Sequence, residues 1–227
     1  HGIVFVRTDL EDMPELPALC SHLKPRDRRS VLKNGLAEVH TVEHLLGSLW
    51  AMQIDNAVVE INGEEVPGLD GSALEFVQAL AKSGVSEQKI DRKCFDLTEP
   101  LYVSDGDTSL VALPGQGGLS IEYHLDYSDV QGLNGLSKQS VSFSMSPDTF
   151  VEQIAGARTF VFEHEVEKLQ EAGFGQGATP QNTLIVGAEG VRENALRFED
   201  ELARHKVLDL VGDLATLGAD LNAHIIA

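Results

Sequence analysis

The sequence predicts a two-domain protein that mixes strands and helices, and three observations carry that expectation. The chain has 227 residues, long enough for one large core or two smaller ones. Hydrophobic residues make up 42% and charged residues 23%, the balance of a folded globular chain. Strand-like and helix-like periodicities follow one another in both halves, on either side of a polar joint at residues 89–93.

Residues 2–7 read as a short strand, and residues 12–25, with three prolines, as loop. Residues 27–39 are too polar for an assignment. Over 41–52, TVEHLLGSLWAM places Val42, Leu45, Leu46, Leu49 and Trp50 close to helical spacing, with Thr41 as the N-cap. A strand at 57–61, the turn-rich NGEEVPGLDGS and a helix over about 73–83 complete the first half. Beyond the joint, strands are expected near Cys94 and at 101–103, 110–113 and 119–125. Ser146 is placed to cap a helix over 146–153, with Pro147 at its first helical position. ARTF follows, then a helix over 163–172 closed by Gly173, a strand at 183–186, and a long helix over 198–217 whose one interior breaker is Gly212. The boundary is placed at the joint, giving domains 1–88 and 93–227, with the second repeating the ingredients of the first without a residue-level repeat.

Composition removes several classes of function. The longest apolar runs, such as 223–227 interrupted by His224, fall far short of the roughly 20 residues a membrane helix needs. Seventeen basic against 36 acidic residues give a formal charge of −19, a field that repels nucleic acid and anionic headgroups at long range. Cys20 and Cys94 form no CxxC, so they are expected as buried or idle thiols in a reducing cytosol. No secretory signal opens the chain, and a cytoplasmic protein, monomer favoured, is expected. Because it opens on His1 and not Met, its amino-terminal end is expected to have been lost, trimmed or left out.

The chemistry concentrates on the long helix. Leu202, Val207, Leu208, Leu210, Val211 and Leu214 make it apolar on several sides, so it should be largely buried. His205, Asp209 and Asp213 follow at spacings of four and form one stripe along it. Burying unpartnered carboxylates costs on the order of several kcal/mol per ion, so the stripe needs a cation, a hydrogen-bond network or a wet cleft. An ordinary His–Asp ion pair would also produce this spacing. The second candidate is HTVEH at 40–44, whose Glu43 stands next to the second histidine and so departs from the HExxH of zinc proteases. His40 precedes the helix and is expected outside the site. His44, His205 and Asp209 together offer two imidazoles and a carboxylate, leaving one position of a four-coordinate zinc site for water. Zinc lowers the pKa of such a water to about 7, and Glu43, ionised at a helix amino terminus, is placed to take its proton. The residues alone reach metal-assisted hydrolysis of an amide or ester.

Beyond that, the chain resembles one family over nearly its whole length, in the ordered blocks FVRTDL, HTVEHLLGSL, IDNAVVEING, PGLDGSALEFV, GARTF and LRFEDELARHKVLDLVGDL. These resemble the UDP-3-O-acyl-N-acetylglucosamine deacetylases of Gram-negative bacteria. The resemblance implies an α+β fold of two similar domains, each a sheet with two helices, the helices packed between the two sheets and the active site at the junction. It implies zinc held by His44, His205 and Asp209, Glu43 as base, and removal of acetate from a UDP-linked, acylated glucosamine in lipid A biosynthesis. Thr159 of ARTF resembles the residue that polarises the carbonyl, although a turn or cap residue has the same look. Lys206 resembles the family's substrate-phosphate and catalytic active-site lysine, or else a solvated helix-face charge. Phe160 and the insert at about 160–187 resemble the acyl-chain passage, with a single helix face of Val161, Val166 and Leu169 left to line it in an otherwise charged segment. Asp70 matches the substrate-binding pattern as well as that of a turn Asp before Gly.

Departures from the family lie at the ends. A Ser-Gly-His expected just beyond HIIA is not in the chain; Asp213 resembles the partner of its histidine, and His224 does not occupy the matching position. The strand and short HTG segment expected before Gly2 are likewise outside the sequence. Three readings follow, an active deacetylase, a zinc-binding but inactive member serving as an interaction domain, and an unrelated zinc amidase with converged residues; the intact Glu43, His44, Thr159, His205, Lys206 and Asp209 favour the first over the second, and the long ordered match disfavours the third. An anionic substrate also needs local cations, Lys206 with Arg158 or Arg204, to outweigh the global field within a Debye length of roughly 8 Å.

Overall fold

A computed structural model of the protein describes residues 2–24, 26, 28–130, 133, 135–171, 173, 175 and 177–227. Pro25, Asp27 and Ala172, in the loop, the unassigned stretch and the helix expected above, lie outside the described residues, as do His1 and, in the expected insert, Phe174 and Gln176. In chain order the elements are β1 (Ile3–Arg7), β2 (Glu15–Pro17), β3 (Leu23–Lys24), β4 (Val31–Asn34), β5 (Ala37–His40), α1 (Glu43–Ala51), β6 (Ala57–Ile61) and α2 (Leu74–Ser83). Then come β7 (Cys94–Asp96), β8 (Leu101–Asp105), β9 (Thr108–Pro114), β10 (Leu119–Asp126), β11 (Lys138–Ser144), α3 (Pro147–Gln153), β12 (Phe160–Phe162), α4 (Val166–Glu171), β13 (Leu184–Gly187), β14 (Gly190–Arg192), α5 (Glu201–Ala215) and β15 (Asp220–Ile226).

The strands form four sheets among the described residues. β1 lies between β2, antiparallel, and β6, parallel. β3, β4 and β5 form an antiparallel meander. The largest sheet runs β11-β10-β15-β9-β8, with β7 also paired to β15, and β12-β13-β14 make a small mixed sheet. Period-two patterning explains the large sheet: Leu119, Ile121 and Leu125 of β10 and Gln139, Val141 and Phe143 of β11 point inward while alternate residues face out.

Two apolar clusters sit against these sheets. Leu202, Val207, Leu208 and Val211 of α5 pack with Ile121, Phe143 and Ile225. Leu45, Leu46 and Leu49 of α1 pack with Phe5, Leu16, Leu32 and Val39. Helices α1 and α5 lie against each other, so the protein is α+β with its central helices between sheets. Each fully buried Leu contributes about 1.5–3 kcal/mol, more than the ~1 kcal/mol that a helix-interior Gly costs, so packing carries α1 and α5 through Gly47 and Gly212. Gly212 is required by geometry: a Cβ there would stand 2.1 Å from the carbonyl oxygen of Glu43. The two helices therefore meet backbone to backbone beside the TVEH motif.

Several local expectations need correction. Residues 12–25 hold β2, a 3-10 turn and β3, and the unassigned stretch forms the β4–β5 hairpin. Thr41 does not cap α1. It takes φ +57°, its hydroxyl donates to Glu65, and α1 begins only at Glu43. The long helix starts at Glu201, three residues later than expected. Strands β11, β12, β14 and β15 were not foreseen, because each is short or buries only alternate residues, as β15 does with Ala223 and Ile225. Ser146 does cap α3, accepting from the Thr149 amide, with Pro147 next. Cys20 and Cys94 are free and exposed. Among the described residues, no helix is long and apolar enough to cross a membrane.

Candidate metal centre

Backbone contact between α1 and α5 brings the two motifs together. The start of α1 presents Glu43 and His44, and successive turns of α5 present His205, Asp209 and Asp213. One ligand atom from each of His44, His205 and Asp209 lies within 4.8 Å of the others. Nε2 of His44 and Nε2 of His205 are each 3.4 Å from Asp209 Oδ1. The two rings meet edge to face at 5.0 Å between centroids.

Elementary chemistry shows what this cluster lacks. His205 Nδ1 donates to the Ala157 carbonyl at 3.1 Å, which leaves Nε2 as a bare lone pair in the neutral ring. Burial keeps the ring neutral, lowering its pKa to about 4. That lone pair stands near a carboxylate oxygen, and Asp209 Oδ1 is buried with no hydrogen-bond partner. Buried acceptors without donors are rare, and an ion is one of their ordinary explanations. A cation among the three residues would satisfy all of them. Ligands about 2.0–2.1 Å from a tetrahedral ion stand roughly 3.4 Å apart, the separation of each imidazole nitrogen from Asp209 Oδ1, so the residues fit.

Surrounding charges point the same way. Burial works against ionisation of Asp209, yet the positive charge around it, Lys206 included, holds its carboxyl well below the ordinary range. Lys206 Nζ donates to Asp209 Oδ2 at 3.0 Å and lies 5.4 Å from the Phe160 ring centroid; the Asp209 charge raises its pKa. Burial alone would lower His44, but Asp209 outweighs it and the net shift is upward. Glu43 is pushed up to about 7, by burial first and then by Asp209, and Asp213 to about 6 by burial. Burial is the first cause of both shifts, and a cation beside the two carboxyls would lower them again.

A cavity of about 1170 Å³ opens onto the cluster, lined by Glu43, His44, Thr159, Phe160, His205, Lys206 and Asp209 among others. Val161, Val166 and Leu169 also line it, although Val161 belongs to β12 and not to the helix. Thr159 is held by its backbone: its N–H donates to the Gly71 carbonyl at 2.8 Å, and its carbonyl accepts from Leu184 at 2.9 Å. Gly71 takes φ +83°, and a Cβ there would meet the Asn182 carbonyl oxygen at 1.8 Å, so no other residue fits this turn. Asp70 and Asp213 do not line the cavity. Asp70 accepts from Ser72 and from Arg197, at 2.8 Å for the latter, and Asp213 accepts from the Ser30 hydroxyl.

Of the cations expected near the substrate, Lys206 lines the cavity, whereas Arg158 and Arg204 are placed differently. Arg158 is buried, bound to Glu201 at 2.9 Å and donating to Asn194 and Ala195; Arg204 donates to Asp200 and to the Gln153 carbonyl. Neither lines the cavity. Arg26, Arg28 and Arg29 do, and their signal is the basic run at 26–29, which leads into the unassigned stretch. His40 pairs with Glu38 outside the metal cluster, and His224 of β15 bonds Ser120 of β10. Ser30 and the Ala157 carbonyl were missed, since neither residue type advertises its role.

Comparison with known proteins agrees over the whole chain. The family model of UDP-3-O-acyl N-acetylglycosamine deacetylase matches residues 1–227. The UDP-3-O-acyl-N-acetylglucosamine deacetylase of Nostoc sp. is 40% identical over an alignment that takes in 100% of this chain and 81% of that protein. Those of Saccharophagus degradans and Bdellovibrio bacteriovorus are 37% and 34% identical, over 97% and 99% of this chain and 72% and 73% of theirs.

Proposed function

Since the chain belongs to the UDP-3-O-acyl N-acetylglycosamine deacetylase family, we propose that it is a zinc-dependent amidohydrolase that removes acetate from UDP-3-O-acyl-N-acetylglucosamine, a step toward lipid A. The observation that carries the metal is Asp209 Oδ1, buried without a donor between two imidazole nitrogens. His44, His205 and Asp209 would hold the ion, and a set of two imidazoles and one carboxylate suits zinc. Bound zinc supplies Lewis acidity, polarising a carbonyl and making water acidic near pH 7.

The remaining steps belong to the protein's own groups. Glu43, held at the start of α1, takes a proton from the attacking water as its oxygen adds to the acetyl carbonyl. Thr159, fixed by the Gly71 turn, stabilises the charge that develops on the carbonyl oxygen. Lys206 offers its ammonium to the anionic part of the substrate, Phe160 borders the acyl chain, and Asp213 supports proton transfer at the leaving amine. Asp70 serves the substrate side indirectly, through the turn that holds Thr159. The proposed domains 1–88 and 93–227 each centre on one apolar cluster, with Ala51, Ala73 and Val77 of the first reaching into that of the second.

The decisive experiment is Glu43→Ala, followed by metal analysis and turnover of the UDP-linked substrate. Bound zinc should equal that of the parent while kcat falls by about 10²–10⁴. A retained rate would sink Glu43 as base. Zinc bound with no turnover in the parent itself would favour a non-catalytic member.

A further inference from the structure

Ser30 lies in the short link between the basic run and β4, and it spends all three of its polar groups on the catalytic helices. Its N–H donates to Glu43 Oε2 at 3.2 Å. Its carbonyl accepts from the Thr41 amide at 2.9 Å, with the Val42 amide at 3.5 Å, the two residues that lead into α1. Its hydroxyl donates to Asp213 Oδ1 on α5, 183 residues away in the chain. We propose that Ser30 is a positioning residue that fixes the Glu43 carboxylate for proton transfer by anchoring Glu43 and Asp213 to one point.

The physical case rests on geometry. The Ser30 amide donates to the Glu43 carboxylate, and the Ser30 hydroxyl donates to that of Asp213. Glu43 is 5% exposed, and without a partner its side-chain torsions would leave the carboxylate free to move between rotamers. A directed N–H opposes that movement, engaging Oε2 and leaving the other oxygen for the proton. Because Gly212 already presses α5 on the Glu43 carbonyl, the hydroxyl bond to Asp213 locks the Ser30 loop into the same contact. Ser30 touches no member of the His44, His205 and Asp209 group through these bonds, so its effect should appear in rate and not in metal content.

This inference rests on Glu43 acting as base, and the test separates the two. Ser30→Ala should lower kcat by about 10- to 100-fold, the scale of a small misplacement of a catalytic group, with KM and bound zinc within about two-fold of the parent. Ser30→Thr, which keeps the hydroxyl, should return kcat to within about three-fold. A Ser30→Ala enzyme with parental kcat overturns the proposal, as does loss of zinc or equal loss in Ser30→Thr, which would mark a merely structural role. Should Ser30→Ala fail to fold, Ser30→Cys carries the same kinetic expectation and the same disproof. An independent readout is amide exchange of the metal-free protein: the Ser30 N–H should exchange at least about ten-fold faster in Glu43→Ala, because its acceptor is gone. Unchanged exchange would mean the bond does not exist. If Glu43→Ala were fully active, the base assignment would fall while the exchange result still judged the bond.

Discussion

Asp209 sets the chemistry at the scale of single residues. Its Oδ1 is buried and accepts nothing, while its Oδ2 takes Lys206. One carboxylate thus divides between a fixed ammonium and the place where a cation fits. If His205 is one of three ligands, His205→Ala should lose most of its zinc on dialysis, measured as metal per chain, since two ligands hold zinc far more weakly than three. Unchanged metal would remove His205 from the set. The His–Asp spacing on α5 was readable from residue order, because four residues make about one helical turn. What the order did not show is the carbonyl of Ala157, which chooses the His205 tautomer and comes from a main-chain atom with no residue-type signature. Arg158 gives the converse case, a charged side chain that reads as a substrate contact and is instead consumed by buried Glu201.

Among elements, the closeness of α1 and α5 matters most. Gly212→Ala would drive a Cβ into the Glu43 carbonyl, so the helices must separate. The expected cost is about 1–3 kcal/mol in denaturant unfolding, with turnover reduced further than stability alone explains. Stability and rate both within error of the parent would refute the close approach. In sequence Gly212 read only as a breaker, since what a missing side chain makes room for lies on another element. The β3-β4-β5 meander offers a pH test. Glu38 on β5 bonds Lys33 and Lys24 and lies near His40, and these partners, Lys33 foremost, hold its carboxyl well below the ordinary range. A depressed folded-state pKa contributes stability above the unfolded value of about 4.3, and that contribution is lost as pH falls through the folded value. Glu38→Gln should therefore lower stability at neutral pH and flatten its decline below about pH 4.3; parallel curves for variant and parent would contradict this. The meander itself was illegible because its polar exposed face masks a two-residue alternation.

For the molecule as a whole, the two apolar clusters share helices across the joint. Ala51, Ala73 and Val77, all before residue 89, belong to the cluster built largely from α5 and the large sheet. Halves coupled in this way should unfold together, so calorimetry should show one transition whose measured and van't Hoff enthalpies agree. Two separated transitions would show that the clusters melt independently. The charge of −19 sets a repulsive far field, against which Arg26, Arg28, Arg29 and Lys206 line the cavity that opens onto the metal cluster. The Arg28–Glu165 ion pair spans that cavity's rim from one half of the chain to the other. From residue order alone came the mix of strands and helices, the helix stripe of His205, Asp209 and Asp213, and the family. Each rests on a local period or on ordered blocks that need no partner to be seen. Only the folded structure decided which cations border the cavity, that Asp70 braces a turn, and that Ser30 joins Glu43 to Asp213. Those contacts join residues 13, 127 and 183 positions apart, and separations of that size leave no periodic trace in a sequence.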